Sequence, residues 1–77
     1  MWVLRGYDSS GDRLFSEHPL PRADAETLRE VWGRPTDDPM YFCYPATPTH
    51  VATVQERLGT ELTLNFERED YFLEFDA

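Results

Sequence analysis

The chain has 77 residues, of which 40% are hydrophobic and 14% aromatic, and its formal net charge at pH 7 is −8. This length suffices for one modest hydrophobic core, so we expect a single domain over residues 1–77 that needs neither a disulfide nor a metal to fold. Phosphate backbones and anionic lipid surfaces repel a domain this negative, which argues against direct binding to nucleic acid or to a membrane and favours a basic protein as partner.

The N-terminal residues predict two β-strands that pair antiparallel. A strand over residues 1–8 has apolar side chains on both faces and leads into turn-forming residues at 8–12. A second strand over residues 13–18 is ended by Pro19 and Pro21, because proline has no N–H to donate to a neighbouring strand.

Two amphipathic helices are predicted from their caps and from apolar residues spaced three or four positions apart. The first follows Asp24 as N-cap and ends at Gly33, and the second follows Thr47 and ends at Gly59. We expect both apolar stripes to cover the sheet; they consist of Leu28, Val31 and Trp32 in the first helix and Val51, Val54 and Leu58 in the second.

The segment between the helices is rich in aromatic residues and prolines. Tyr41 to Tyr44 has the composition of a short strand at a sheet edge, with Pro45 at its end. A buried irregular segment would show the same composition, so this alternative stays open at the level of sequence.

The last quarter of the chain changes the phase of its apolar alternation. Leucines and phenylalanine occupy even positions from 62 to 66, whereas the aromatic and apolar residues from 71 to 75 occupy odd positions. A turn or bulge is therefore expected at residues 67–70, which leaves either a hairpin or one broken strand. The predicted order is β-β-α-β-α-β, an α+β fold with a small, mainly antiparallel sheet of four or five strands and both helices on one face.

No group of residues predicts catalysis, a cofactor or a metal site. Cys43 is the only cysteine and is expected to be a small buried apolar residue; a lone cysteine forms no internal disulfide, which favours the reducing cytoplasm. His18 and His50 do not lie at metal-ligand spacing from Cys43, and the place of His50 at a helix start suggests a surface or capping role. Without a phosphate-binding loop, a nucleophile with its base, or a leader or membrane-spanning segment, we expect a cytoplasmic protein that is not an enzyme.

Acidic and aromatic residues are interleaved near the C-terminus. Residues 61–77 hold six acidic residues and one arginine, a net −5 of the total −8. Acidic residues steer a basic partner and aromatic residues supply contact energy, so this mixture is typical of a protein-binding surface. The alternative is that the aromatic residues form the core and the acidic residues keep the domain soluble. The candidate partner-binding residues are Asp37, Asp38, Tyr41, Tyr44, Glu67, Glu69, Asp70, Tyr71 and Glu74.

The run WGRPTDDPMYFCYP at residues 32–45 and the YFLE motif at residues 71–74 carry a family resemblance. With them the chain resembles a family of short acidic bacterial proteins catalogued only as a domain of unknown function. The resemblance spans nearly the whole chain, including the opening strand that ends in Tyr-Asp and the helix after Pro45. It implies a shared fold and supplies no activity, substrate or functional residue.

Two functions are compatible with these features. The leading hypothesis is an inhibitor or immunity-type protein that covers the basic site of a nuclease, a toxin or another nucleic-acid-binding protein. The alternative is a structural or regulatory interaction module with a non-basic partner, one form of which is a homodimer joined through the sheet edge at residues 41–44.

Overall fold

A computed structural model describes residues 1–11 and 13–77 of the protein. The elements follow the predicted order: β1 (Trp2–Asp8), β2 (Leu14–Leu20), α1 (Ala25–Trp32), β3 (Tyr44–Ala46), α2 (Pro48–Leu58) and β4 (Glu69–Phe75). All neighbouring strands are antiparallel, in the spatial order β2-β1-β4-β3, which confirms the predicted α+β fold. Asp12, part of the turn predicted at residues 8–12, lies outside the described residues.

The sheet has two unlike faces because side chains alternate along each strand. One face packs against both helices, and this core contains Leu4, Leu20, Tyr44, Ala46, Tyr71 and Leu73 from the sheet and Leu28, Val51, Val54 and Leu58 from the helices. The opposite face carries no helix within the described residues. We call it the open face; it is formed by Val3, Arg5 and Tyr7 of β1, Glu17 of β2, and Asp70, Phe72 and Glu74 of β4.

Both helices begin and end where local chemistry predicts. The Asp24 carboxylate accepts a hydrogen bond from the backbone N–H of Thr27 at 2.7 Å and caps α1. At α2, Thr47 and His50 form a reciprocal capping box, in which the N–H of Thr47 donates to His50 Nδ1 at 3.1 Å. The ring of His50 also stacks on Trp32, with the ring centroids 4.7 Å apart. The capping role predicted for His50 is therefore confirmed.

The second strand is longer than predicted. β2 continues through Pro19 to Leu20, and Pro19 lies opposite Val3 of β1. Because β2 is an edge strand, the nitrogen of Pro19 can face solvent without costing a hydrogen bond to β1. The prediction that Pro19 ends the strand is wrong for this reason.

The strand predicted at residues 41–44 is displaced toward the C-terminus. β3 begins at Tyr44, ends at Ala46 and forms the other edge of the sheet. Pro45 lies inside it, and the Pro45 carbonyl accepts a hydrogen bond from the indole Nε1 of Trp32 at 2.8 Å. This contact with the last residue of α1 is long-range, so the composition of the segment does not reveal it.

Residues 60–68 form neither a hairpin nor a strand. The alternating residues Leu62, Leu64 and Phe66 are half-buried against the core, as alternation predicts. Their backbone is bound by side chains instead of a neighbouring strand: the N–H of Leu62 donates to Gln55 Oε1 at 2.7 Å, and the N–H of Asn65 donates to the Tyr71 hydroxyl at 2.8 Å. The phase change coincides with a turn just before β4, so the described residues form four strands and not five.

Candidate functional site

Near the centre of the open face, one arginine is shared by three carboxylates. Arg5, at the centre of β1, contacts Glu17 at 2.8 Å, Glu74 at 3.0 Å and Asp76 at 2.5 Å. These hydrogen bonds raise the pKa of Arg5 above its ordinary value, and the bond from Arg5 lowers the pKa of Asp76. A single guanidinium neutralises one of these three carboxylates, so the face keeps a negative excess.

Beside this network lies an open cleft of about 330 Å³. We call it the acidic cleft; its lining residues are Tyr7, Gly11, Cys43, Asp70, Phe72 and Glu74. The rings of Tyr7 and Phe72 meet edge to face, with centroids 5.8 Å apart. Asp70 and Glu74 stand two positions on either side of Phe72 on the same face of β4, since side chains alternate along a strand. The cleft therefore has aromatic rings between two carboxylates.

The two carboxylates of the acidic cleft differ in their partners. Glu74 is occupied: its Oε1 accepts from Arg5, and its Oε2 accepts from the Tyr7 hydroxyl at 2.6 Å. This hydrogen bond, with partial burial, raises the pKa of Tyr7 to about 12. Asp70 is exposed and makes neither a hydrogen bond nor an ion pair through its side chain with any described residue. Asp70 is thus the carboxylate that is free to meet a partner.

Cys43 lies on the wall of the acidic cleft and is exposed, so the expectation of a buried apolar residue is wrong. Its thiol lies 3.8 Å from Glu74 Oε2. Partial desolvation and the negative charge of Glu74 raise the pKa of the thiol. The thiol is therefore protonated at neutral pH, which is unfavourable for a nucleophile.

Three of the nine candidate residues are buried inside the fold. Tyr71 lies in the core, and Asp38, in the loop that precedes β3, is buried together with Tyr44, the first residue of β3. Asp38 accepts from the Tyr44 hydroxyl at 2.8 Å, from the N–H of Met40 at 2.7 Å and from Arg34 Nε at 2.8 Å. The bond from Arg34 is the main cause of the lowered pKa of Asp38. These residues fix the loop and are inaccessible to a partner.

Glu69 also faces the helix-covered side of the sheet. Its Oε1 accepts from the Ser16 hydroxyl at 2.6 Å, and its Oε2 accepts from the Tyr71 hydroxyl at 3.0 Å. His18 Nε2 lies 3.1 Å from the same Ser16 oxygen. Since the hydroxyl of Ser16 donates to the carboxylate, the histidine is not placed to take the serine proton. Glu69 therefore belongs to an internal hydrogen-bond network and not to the open face.

The remaining candidates, Asp37, Tyr41 and Glu67, are exposed. Tyr41 stacks on Phe75 with ring centroids 4.4 Å apart while keeping 57% of its surface exposed, and its neighbour Phe42 is 66% exposed. Both follow Met40, a buried residue with a left-handed backbone, φ 63°, which is uncommon outside glycine. This backbone conformation, fixed by Asp38, sets the direction in which the chain leaves the core.

The structure adds three aromatic residues that the candidate set lacked. Tyr7 and Phe72 line the acidic cleft, and Phe42 is the most exposed large hydrophobic residue among those described. Alternation along β4 was a usable signal for Phe72, because it places that residue between Asp70 and Glu74. The pairing of β1 with β4 brings Tyr7 to the same place, and sequence alone gave no signal for it.

Residues 1–11 and 13–77 contain neither a metal-binding cluster nor a membrane-spanning helix. No group of three or more His, Cys, Asp or Glu side chains there is arranged to hold a metal ion. The helices of that part of the chain are also too short or too polar to cross a membrane.

The fold and the open face define a small acidic α+β domain with one sheet face covered by helices and one uncovered. The model of a domain of unknown function, DUF7683, matches residues 1–74, and the chain belongs to this family. No curated protein and no solved structure matches it. The family description assigns no activity.

Proposed function

We propose that the domain is an inhibitor or immunity-type binding protein that covers the basic site of a nuclease, a toxin or another nucleic-acid-binding protein. The observation that carries this proposal is the charge of the uncovered sheet face. Three carboxylates, those of Glu17, Glu74 and Asp76, share the guanidinium of Arg5. Asp70, on the same face of β4 as Glu74, forms no ion pair with the described residues. A site built to bind phosphate presents the opposite charge and would be attracted to this face.

Electrostatic attraction would act first on the rate of association. Complementary potentials raise association rates by orders of magnitude at low salt, and the effect declines as salt screens the charges. Because Arg5 already balances part of the charge near Glu74, the unpaired Asp70 is the strongest candidate for contact with a cation.

The aromatic residues next to the acidic cleft would supply contact energy. A stable interface buries about 800 Å² on each partner. Seven-residue strands about 4.8 Å apart give a four-stranded face of at most roughly 450 Å². The open face is therefore too small alone, and the exposed Phe42, which directly precedes Cys43 on the cleft wall, would extend it. Exposed aromatic residues are common anchors of such interfaces.

We also propose that the domain acts in the cytoplasm of a bacterium and binds rather than catalyses. The single thiol fits a reducing compartment, and the complete use of arginine over lysine fits a GC-rich genome. The raised pKa of Cys43 supports a role other than nucleophile.

The alternative, a structural or regulatory module that forms a homodimer through β3, has less support. β3 has only three residues, Pro45 at its centre has no N–H, and the Pro45 carbonyl already accepts from Trp32. A short edge containing proline is a usual protection against strand pairing.

The test begins with capture of partners from nuclease-treated lysate of the source cell, elution with rising salt and identification by mass spectrometry. The identified protein is then purified and titrated calorimetrically at low and high salt. We expect tighter binding at low salt and a loss of about tenfold or more on Asp70→Lys.

The matched control is Glu56→Lys, which makes the same charge change on an exposed residue of α2, on the helix side of the sheet. Equal losses for both variants, or binding that salt does not affect, would contradict the proposal, because attraction to the open face requires a local and screened effect.

A further inference from the structure

We infer that the acidic cleft receives one arginine side chain of the partner, with the guanidinium stacked on the aromatic rings and hydrogen-bonded to Asp70. This inference rests on the proposed function and names the chemical group that the open face would recognise.

The shape of the acidic cleft fits a single side chain. Its volume of about 330 Å³ is at the lower limit of ligand-binding pockets, and it opens to solvent instead of enclosing a cavity. Gly11 of the β1–β2 loop and Cys43 before β3 bound it on two sides. A side chain that projects from a protein surface can enter such a cleft, whereas a small metabolite would remain largely hydrated.

The aromatic rings of the cleft suit a planar cation. Tyr7 and Phe72 are held edge to face by their packing and by the hydrogen bond from Tyr7 to Glu74. In an edge-to-face pair only one ring face is covered by the partner ring, so ring surface remains for a third group. Guanidinium groups stack on such faces, and the carboxylates beside the rings strengthen the attraction.

The arrangement of carboxylates favours Asp70 as the hydrogen-bond acceptor. Asp70 stands two residues from Phe72 on the same face of β4, a spacing of about 7 Å along the strand. Glu74 is as near to Phe72 on the other side, but Arg5 and Tyr7 already occupy its oxygens. A guanidinium over the Phe72 ring would therefore meet a free carboxylate on one side and an occupied one on the other.

Arginine fits this combination better than lysine. Its planar group stacks on a ring and donates two parallel hydrogen bonds to one carboxylate, whereas an ammonium group is compact and strongly hydrated. Selectivity between the two cations is thus a direct readout of the proposed geometry, because an acidic surface without the aromatic rings would attract both alike.

The experiment uses two blocked tripeptides, Ac-Gly-Arg-Gly-NH2 and Ac-Gly-Lys-Gly-NH2, titrated into the ¹⁵N-labelled full chain and followed by amide chemical shifts. We expect binding of the arginine peptide on the order of millimolar, because the contacts are exposed and screened. The shifts should concentrate at the cleft residues, and the lysine peptide should bind at least about threefold more weakly. The arginine peptide should also slow alkylation of Cys43, which lines the cleft.

Two variants and a control make the assignment specific. Asp70→Asn should weaken arginine binding about three- to tenfold, and Phe72→Leu should reduce the preference for arginine over lysine. Glu56→Gln on α2 removes one exposed negative charge on the other side of the sheet. This variant should change neither the affinity for the arginine peptide nor the preference for arginine over lysine. The amide spectrum of each variant shows directly whether it is folded.

Shifts outside the cleft, equal binding of the two peptides, or equal effects of Asp70→Asn and Glu56→Gln would overturn the inference. If the peptides give one of these results but the purified partner still binds in a salt-dependent way, only the assignment of an arginine to the acidic cleft fails. If the partner does not bind either, the proposed function fails with it.

Discussion

Removing the hydroxyl of Tyr71 tests whether this residue serves the core or a binding surface. The hydroxyl accepts from the N–H of Asn65 at 2.8 Å and donates to Glu69 Oε2 at 3.0 Å. In Tyr71→Phe the Asn65 N–H loses its partner, whereas Glu69 keeps its bond from Ser16 and can reach water. We therefore expect a loss of about 2 kcal/mol in the free energy of unfolding, because two part-buried hydrogen bonds, one of them to a carboxylate, are lost together.

This loss is large for a chain of this size. Domains are stable by about 0.05–0.15 kcal/mol per residue, so 2 kcal/mol is a substantial share of the total. The urea midpoint should fall by about 1 to 2 M, and the thermal midpoint by roughly 8 to 16 °C. Hydrogen exchange of the Asn65 amide should accelerate, since this N–H donates to the deleted hydroxyl.

Tyr41→Phe is the matched control. Tyr41 is 57% exposed, and its hydroxyl makes no hydrogen bond with the described residues, so we expect a change within about 0.5 kcal/mol. A loss below that value in Tyr71→Phe, or equal losses in both variants, would show that the hydroxyl of Tyr71 does not tie residues 60–68 to the sheet.

Three further predictions concern residues in or next to the open face: Tyr7, Gly6 and Cys43. Ultraviolet titration should give Tyr7 a pKa of about 12, and Glu74→Gln should return this pKa toward 10.0. The hydrogen bond from Tyr7 to Glu74 therefore stabilises the fold below pH 10, and this contribution is lost as the pH rises toward 12. Gly6→Ala should lower the thermal midpoint, at a cost of about 1–3 kcal/mol, because the new Cβ would lie 2.6 Å from Ser16 Oγ; an unchanged midpoint would contradict this. Alkylation of Cys43 by iodoacetamide should be slower at pH 7 than in a free peptide and faster in Glu74→Gln, and a rate equal to that of the peptide would exclude the raised thiol pKa.

The helices illustrate what sequence can decide. Asp24 and Thr47 contact backbone N–H groups three residues away, so the signals that begin each helix lie within one turn. Such contacts form whatever the rest of the chain does, and both helices accordingly begin after the predicted caps.

The strands illustrate where sequence is ambiguous. Alternation at residues 62–66 predicted a strand that does not form, because pairing also needs a neighbouring strand with free backbone groups. Here side chains of Gln55 and Tyr71 take those bonds instead. Pro45 shows the opposite case: it lies in β3, an edge strand, where a residue without an N–H is tolerated, and its carbonyl accepts from Trp32.

The tyrosines show why the sequence could not identify the surface residues of the site. Three tyrosines lie in aromatic segments with acidic residues nearby: Tyr41, Tyr44 and Tyr71. Their local sequence patterns do not differ in a way that predicts burial or exposure. In the fold Tyr44 and Tyr71 point into the core, whereas Tyr41 lies on the surface. Position in a segment does not distinguish these outcomes, since burial depends on which face of the sheet the helices cover.

The sequence by itself determined the order of elements, the helix caps, the acidic charge and the family, because each follows from composition or from contacts a few residues apart. Only the tertiary structure decided where the candidate site lies. Arg5 and Tyr7 meet Glu74 across separations of 69 and 67 residues, and these contacts exist because β1 pairs with β4 at the centre of the sheet. A local pattern carries no information about such a pairing, which depends on the packing of the whole chain.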